Sequence, residues 1–377
     1  MEAKVFIDGL AQLGVDFYTG VPDSLLKPLN DVLYTTFGLN GAHVVAANEG
    51  GAVGLAAGHY IATGKPALVY LQNSGIGNAI NPIASLLNDR VYGIPCVFVV
   101  GWRGQPGVHD EPQHAFQGLV TKDMLTLCDL TVFEMTADTD AAAYDAMLEK
   151  CAPLLAAGKS VAFLVHQGGL TGEKAASFAG ASTMTRESAL NTLLHDAGRS
   201  DVFVVTTGKA SREVFELREA LGQSHGNDFL TVGSMGHANM VALGIAKAKP
   251  ATTVWCLDGD GAMLMHLGGL VVEAQQRATN MIHVLLNNGV HESVGGMPVA
   301  GGDVQFAPLA QAVGFEAVYR ADTEEQLQTL LPEIRQVSRD KRCFLEIMVR
   351  QGSRADLGRP TQTPQENLHA LMATLRK

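Results

Sequence analysis

The chain is poor in tryptophan (2 residues), in charged residues (17%) and in cysteine, whose five copies are scattered without a CxxC pair. An odd number of dispersed thiols excludes a disulfide framework and a thiolate zinc site, and points to a reduced, cytoplasmic protein. No run approaches the roughly 18–20 consecutive apolar residues of a membrane span. The opening stretch MEAKVFIDGLAQLGVDF lacks the apolar core of a secretory signal. Basic residues are outnumbered, 27 Lys+Arg against 38 Asp+Glu, for a formal net charge of −11. Nucleic acid is therefore not expected as a partner, since its binders carry a basic stripe, and neither is a membrane. The deficit does not exclude a small anionic ligand, because local charge in a cleft outweighs the total.

What the chain has is apolar side chain, 47%, and glycine, 41 of 377 residues. That composition supports sizeable cores joined by tight loops, with room for about two domains. Short apolar runs recur at Val15–Tyr18, His43–Ala46, Ala67–Leu71, Cys96–Val100, Leu130–Phe133 and Val161–Val165. They resume at Val202–Val205, Thr253–Leu257, His283–Leu286 and Phe344–Val349. Helix-like patterns such as Gly51–Ile61 and Asp140–Ala156 lie between them. Buried strands alternating with helices predict an α/β protein with two doubly wound parallel sheets. The small, polar segment from Gln167 to Thr185 reads as a linker, giving a first domain over 1–170, a linker over 171–185 and a second domain over 186–377. In such sheets ligands gather where strands hand over to helices, so candidate residues should follow the apolar runs.

After Thr253–Leu257 comes Asp258-Gly259-Asp260-Gly261-Ala262, opening a helix-like stretch from Met263 to Gln276. After His283–Leu286 comes Asn287-Asn288-Gly289-Val290. Asp260 and Asn288 are 28 positions apart, one helix and one strand between them, so a parallel crossover returns both to the same sheet edge. A carboxylate and an amide oxygen meeting there suit Mg²⁺, a hard cation usually completed by phosphate oxygens. Gly259 and Gly261 allow close backbone approach, and a helix start at Ala262 offers amide donors to a diphosphate.

This GDG motif followed by NN resembles the fingerprint of thiamin-diphosphate enzymes. The resemblance implies a metal held by the side chains of Asp260 and Asn288 and the backbone oxygen of Val290. It implies that Thr207, Gly208 and Lys209 approach the diphosphate and that the carbonyl of Gly233, in a turn with Ser234, meets the 4′-amino group. Met235 would be the apolar prop that bends the cofactor. Glu49, at the start of a helix-like stretch, would otherwise be a charge complementing the helix dipole. In the family a Glu in this place hydrogen-bonds N1′ of the aminopyrimidine, so that the cofactor acts as its own base. Burial should raise its pKa. The resemblance also implies a homodimer or larger homo-oligomer, with active sites between subunits.

Length sets this chain apart from thiamin enzymes that carry a central third domain. Two directly joined domains resemble the phosphonopyruvate and sulfopyruvate decarboxylases. The supporting stretches are Thr19-Gly20-Val21-Pro22-Asp23-Ser24, Asn48-Glu49-Gly50, Gln72–Asn78 and His291-Glu292-Ser293. The loop Gly101–His114 looks more like the phosphonopyruvate enzymes. There Arg103 is suited to gripping a tetrahedral oxyanion, with His109 or His114 as further donors or acids. Asp23 and Ser24 fit substrate ordering or proton relay, or a helix N-cap ahead of Leu25–Leu33. Gln72 and Asn73 fit the thiazolium side or a plain turn. The implied reaction is non-oxidative decarboxylation of 3-phosphonopyruvate, an anionic 2-keto acid, to phosphonoacetaldehyde and CO₂ in phosphonate biosynthesis. Sulfopyruvate decarboxylation is the nearest alternative. A nicotinamide-dependent oxidoreductase is remote, because Gly75-x-Gly77-x-x-Ile80 lacks the third small residue and an acidic partner. Retention of Glu49, Asp260 and Asn288 argues against an inactive relative.

Overall fold

The computed structural model describes residues 1–39, 41–173, 182–294, 296–300 and 303–376. It divides into two compact units, Met1–Phe178 with Val294–Ala300, and Ala179–Ser293 with Gly301–Lys377. Most of the expected linker, 174–181, lies outside the described residues.

The first unit is a six-stranded parallel sheet of Tyr18–Gly20 (β1), His43–Val45 (β2), Ala67–Gln72 (β3), Cys96–Gly101 (β4), Thr131–Met135 (β5) and Val161–Val165 (β6). Its order is β2-β1-β3-β4-β6-β5. Strands β3, β4 and β6 are buried almost throughout and do not alternate, as a sheet covered on both faces requires. Alternate residues feed two separate cores. Leu68, Tyr70, Val97 and Val99 pack with Phe6, Leu10 and Tyr144. Val69, Leu71, Phe98 and Val100 pack with Val53, Ala56 and Ile83. Strand order reverses between β1 and β3, so a crevice is expected at their carboxyl ends.

The second unit repeats the same strand permutation with Val202–Val205 (β7), Asp228–Leu230 (β8), Val254–Gly259 (β9), Met281–Asn287 (β10), Ala317–Ala321 (β11) and Cys343–Met348 (β12). Its parallel order is β11-β12-β10-β9-β7-β8, with the reversal between β7 and β9. Two of these strands have no counterpart among the apolar runs. Both are edges: β8 is only three residues long, and β11 exposes Arg320. An edge strand is paired on one side only and needs little apolar sequence. Two further expectations are corrected. The segment Met263–Gln276 is not one helix but two, Asp260–Met265 and Gly268–Gln276, broken at His266. The helix after Ser24 runs Lys27–Phe37 with Leu26 at its cap and no side-chain cap bond, so Asp23 and Ser24 are not its N-cap.

The five cysteines are free thiols. Among the described residues, no helix is long and apolar enough to cross a membrane.

Candidate active site

In the first unit, Glu49 opens the helix Glu49–Thr63, whose cap is Asn48 accepting the Gly51 N–H at 2.8 Å. That cap lets the helix begin at a glutamate although Gly50 and Gly51 follow it. The Glu49 carboxylate is 4% exposed, and one oxygen accepts from Asn78 Nδ2 at 2.8 Å. Its other oxygen faces the Gly75 backbone so closely that a Cβ there would stand 2.1 Å away. Burial pushes the Glu49 pKa up, opposed by the Asn78 amide. A carboxyl of this kind holds its proton more readily than an exposed one.

Beyond β1, β3 and β4, five expected residues are joined by hydrogen bonds. Gln72 Nε2 donates to Asp23 Oδ1 at 2.5 Å, and Asp23 Oδ2 accepts the Leu25 N–H at 3.0 Å. Asn73 donates to the Arg103 carbonyl and to Thr121 Oγ1, both at 2.8 Å. Arg103 Nη1 donates to Ser24 Oγ at 2.9 Å. Asp23 is fully buried, and its carboxyl is raised by that burial, with Gln72 and Arg103 opposing. Gln72 and Asn73 thus hold the neighbouring loops in place.

Arg103 brings a partner that the sequence reading did not name. Asp110 takes its fork bidentately, Nε to Oδ2 at 2.8 Å and Nη2 to Oδ1 at 2.5 Å, and also accepts the N–H groups of Gly104 and Glu111. Burial raises the Asp110 carboxyl, but bonds from Arg103 and these backbone groups outweigh it and hold the pKa far below the usual range. Three of the five guanidinium N–H groups are engaged, which leaves two for an external oxygen. The only sequence signal for this clamp was an Asp within the same glycine-punctuated loop. His109 lies exposed on that loop, whereas His114 is buried in the helix Pro112–Leu127.

In the second unit, β9 ends at Gly259 and the next helix opens on Asp260, two residues before the expected start at Ala262. Asp260 is 4% exposed, and among the described residues its carboxylate accepts backbone donors only: Gly261 N at 2.7 Å, Asn288 N at 3.2 Å and Gly289 N at 2.6 Å. Among the described residues no lysine or arginine pairs with it. Burial raises its pKa to about 6 despite those donors. Asn288 Oδ1 accepts the Val290 N–H at 3.1 Å and keeps a second lone pair. A buried carboxylate without a cationic partner, beside an amide oxygen at one sheet edge, is a donor set that fits a hard divalent ion.

The surrounding loops fit a diphosphate. Thr207 Oγ1 accepts the Gly233 N–H at 3.0 Å, which ties the turns after β7 and β8 together. Gly208 has a φ of 101°, and Gly233 and Ser234 follow each other at 73° and 48°. A left-handed serine beside a left-handed glycine is costly and characteristic of ligand sites. Met235 next to them is half-buried. Lys209 Nζ donates to Ser353 Oγ at 2.8 Å and lies 3.3 Å from Glu292 Oε1. Glu292, quoted in the sequence only as part of a resembling stretch, also touches Asn288.

Two family models match the chain: the thiamine pyrophosphate enzyme N-terminal TPP binding domain over residues 2–125 and the C-terminal TPP binding domain over 206–347. Together with the two parallel sheets they define a thiamine pyrophosphate (thiamin diphosphate) enzyme. Phosphonopyruvate decarboxylase of Streptomyces viridochromogenes is 34% identical over 97% of this chain and 92% of its own length. The same figures, 34%, 97% and 92%, hold for phosphonopyruvate decarboxylase of Streptomyces hygroscopicus. Sulfopyruvate decarboxylase of Methanosarcina acetivorans is 25% identical over 86% of this chain and 85% of its own. The chain belongs to the family of the phosphonopyruvate decarboxylases.

Proposed function

We propose that this protein decarboxylates 3-phosphonopyruvate to phosphonoacetaldehyde and CO₂, using thiamin diphosphate and Mg²⁺, as a step of phosphonate biosynthesis. The observation that carries the reading is identity at one level across nearly the whole chain to two phosphonopyruvate decarboxylases. Sulfopyruvate decarboxylation is the second reading, favoured by the more distant Methanosarcina acetivorans relative. Both substrates are small 2-keto acids with a second tetrahedral anion.

When bound, the cofactor supplies a nucleophilic carbon for the ketone and an electron sink for the bond to the departing carboxylate. The chain's own residues position and protonate. Asp260, Asn288 and the Val290 backbone oxygen hold the metal. Thr207, Gly208, Lys209, Gly259, Gly261 and Ala262 surround the diphosphate, while Gly233, Ser234 and Met235 shape the turn beside the rings. Glu49 shares a proton with the aminopyrimidine N1′, an exchange its raised pKa supports. Arg103, preoriented by Asp110 and Ser24, offers its two remaining N–H groups to the phosphonate, and Gln72 and Asn73 hold that wall. Asp23, His109 and His114 are assigned to proton handling at the substrate. Residues 1–170 form the pyrimidine-type domain, 171–185 the linker and 186–377 the diphosphate-type domain. The working protein is a cytoplasmic homodimer or larger homo-oligomer, with the Glu49-bearing domain of one subunit serving the metal-bearing domain of another.

The test is direct. Purified protein with thiamin diphosphate and Mg²⁺ is given phosphonopyruvate, then sulfopyruvate, and product is followed by phosphorus NMR and by aldehyde assay. Phosphonoacetaldehyde with a higher kcat/KM for the phosphonate is expected. Preference for sulfopyruvate would install the second reading, and turnover of neither would reject both.

A further inference from the structure

Glu292 is placed at the carboxyl end of β10, four residues after Asn288, on a short turn Glu292–Val294. It collects an unusual number of donors. Its Oε2 accepts from Asn288 Nδ2 at 3.0 Å, Arg186 Nη1 at 2.9 Å and the Gly352 N–H at 3.3 Å. Its Oε1 accepts from Arg186 Nη2 at 3.3 Å and lies 3.3 Å from Lys209 Nζ. Arg186, itself buried, is gripped bidentately from its other side by Glu213 at 2.6 and 2.8 Å. Two carboxylates thus balance one guanidinium and one ammonium, so Glu292 is held in place by charge and geometry together.

We infer that Glu292 is a positioning residue that fixes the rotamer of the Asn288 amide and thereby presents its oxygen to the divalent metal. The inference rests on the thiamin-diphosphate reading above. An ionised carboxylate only accepts hydrogen bonds, so the group of Asn288 that faces it must be the NH₂. The amide oxygen is therefore turned away from Glu292, where it meets the Val290 N–H at 3.1 Å and keeps one lone pair for a cation. Without Glu292 the Val290 N–H at 3.1 Å is left as the bond that orients the amide, so rotation by half a turn becomes easier, and an NH₂ group aimed at a cation repels it. Partners of this kind, one bond removed from the metal, typically set affinity by 10- to 100-fold. Glu292 also holds the Lys209 ammonium beside Gly208, so one side chain ties the metal corner to the phosphate corner.

The test compares the full-length wild type with Glu292→Ala and Glu292→Gln. Calorimetry measures thiamin diphosphate uptake at a series of Mg²⁺ concentrations, beside the thermal midpoint of the metal-free protein. Glu292→Ala is expected to need at least about tenfold more Mg²⁺ for half-maximal uptake. Glu292→Gln keeps an acceptor oxygen for Asn288 Nδ2 and should stay within about threefold of wild type, a difference of under 1 kcal/mol. A purely structural role would shift the midpoint and leave the magnesium requirement where it was, which would overturn the inference. So would equal weakening in both variants, since that assigns the effect to lost charge. Should Glu292→Ala not fold, tenfold weakening in Glu292→Gln alone overturns it. Failure of the wild type to take up cofactor would instead reject the functional reading.

Discussion

Gly75 and Glu49 are in direct opposition: a Cβ on Gly75 would stand 2.1 Å from Glu49 Oε1 and 2.4 Å from its carboxyl carbon. The glycine is not there for its backbone, whose φ of −82° any residue adopts. It is there because the carboxylate needs the space. Gly75→Ala should therefore displace Glu49. Overpacking of this sort costs about 1–3 kcal/mol of stability, and turnover should fall by ~10²-fold or more as the proton-sharing group leaves its place. Denaturant melts and steady-state rates check both. Wild-type turnover in Gly75→Ala would separate Glu49's position from its role.

Glu49→Gln should be more stable than the wild type in alkali and not in acid. Burial raises the folded-state pKa of Glu49 above its ordinary value of 4.5. Below that value the carboxyl is protonated both folded and unfolded. As pH rises through the raised folded pKa, the stability that came from holding the proton is lost, and Gln has no such loss. The thermal midpoint of Glu49→Gln minus that of wild type, measured without cofactor, is expected near zero at pH 4 and positive at pH 8. A difference that does not change with pH would contradict the buried, proton-sharing carboxyl.

Asp110→Ala should act on substrate binding. It removes both bonds to the Arg103 fork and the acceptor for the Gly104 and Glu111 N–H groups. Charge-assisted bonds of this type are worth about 1.5–3 kcal/mol, so KM for phosphonopyruvate should rise on the order of tenfold or more, with a smaller change in kcat. Retention of wild-type KM would show that Arg103 does not depend on its clamp.

The repeated pattern of apolar runs made the two parallel sheets legible in the sequence, because strands buried on both faces must be continuous and apolar. Asp260, Asn288 and Glu49 were singled out by the resemblance of the motifs around them, and each follows a strand at the carboxyl edge where ligands collect. What was not legible depends on tertiary contact. The edge strands β8 and β11 need few apolar residues, and the break at His266 lies within a stretch of helical pattern. Asp110 and Glu292 carry little local signal, the one an Asp in a glycine-punctuated loop and the other part of a resembling stretch, since a carboxylate in a loop is usually solvated. Their importance comes from Arg103 and from Asn288, Lys209 and Arg186, and only the fold brings the last two near.

Asp260→Ala should keep the fold and lose cofactor retention. Among the described residues the buried carboxylate has backbone donors alone, so its removal deletes the anionic group of the donor set formed with Asn288. Treatment of wild type with EDTA should mimic it. Ligand present at a hundredfold excess over its Kd stabilises by about 2.7 kcal/mol, and that increment in thermal stability should vanish in both cases. A cofactor-dependent stabilisation that survives EDTA would contradict binding through a metal, and one that survives Asp260→Ala would place the metal elsewhere.

The measurement closest to the centre of this account is hydrogen–deuterium exchange at C2 of bound thiamin diphosphate, followed by proton NMR after rapid quenching. With Mg²⁺ present, wild type should exchange ~10²–10⁴-fold faster than Glu49→Gln, the range a positioned proton-transfer group supplies, while both still retain the cofactor. Equal exchange rates in the two proteins would contradict the assignment of Glu49 as the group that activates the cofactor.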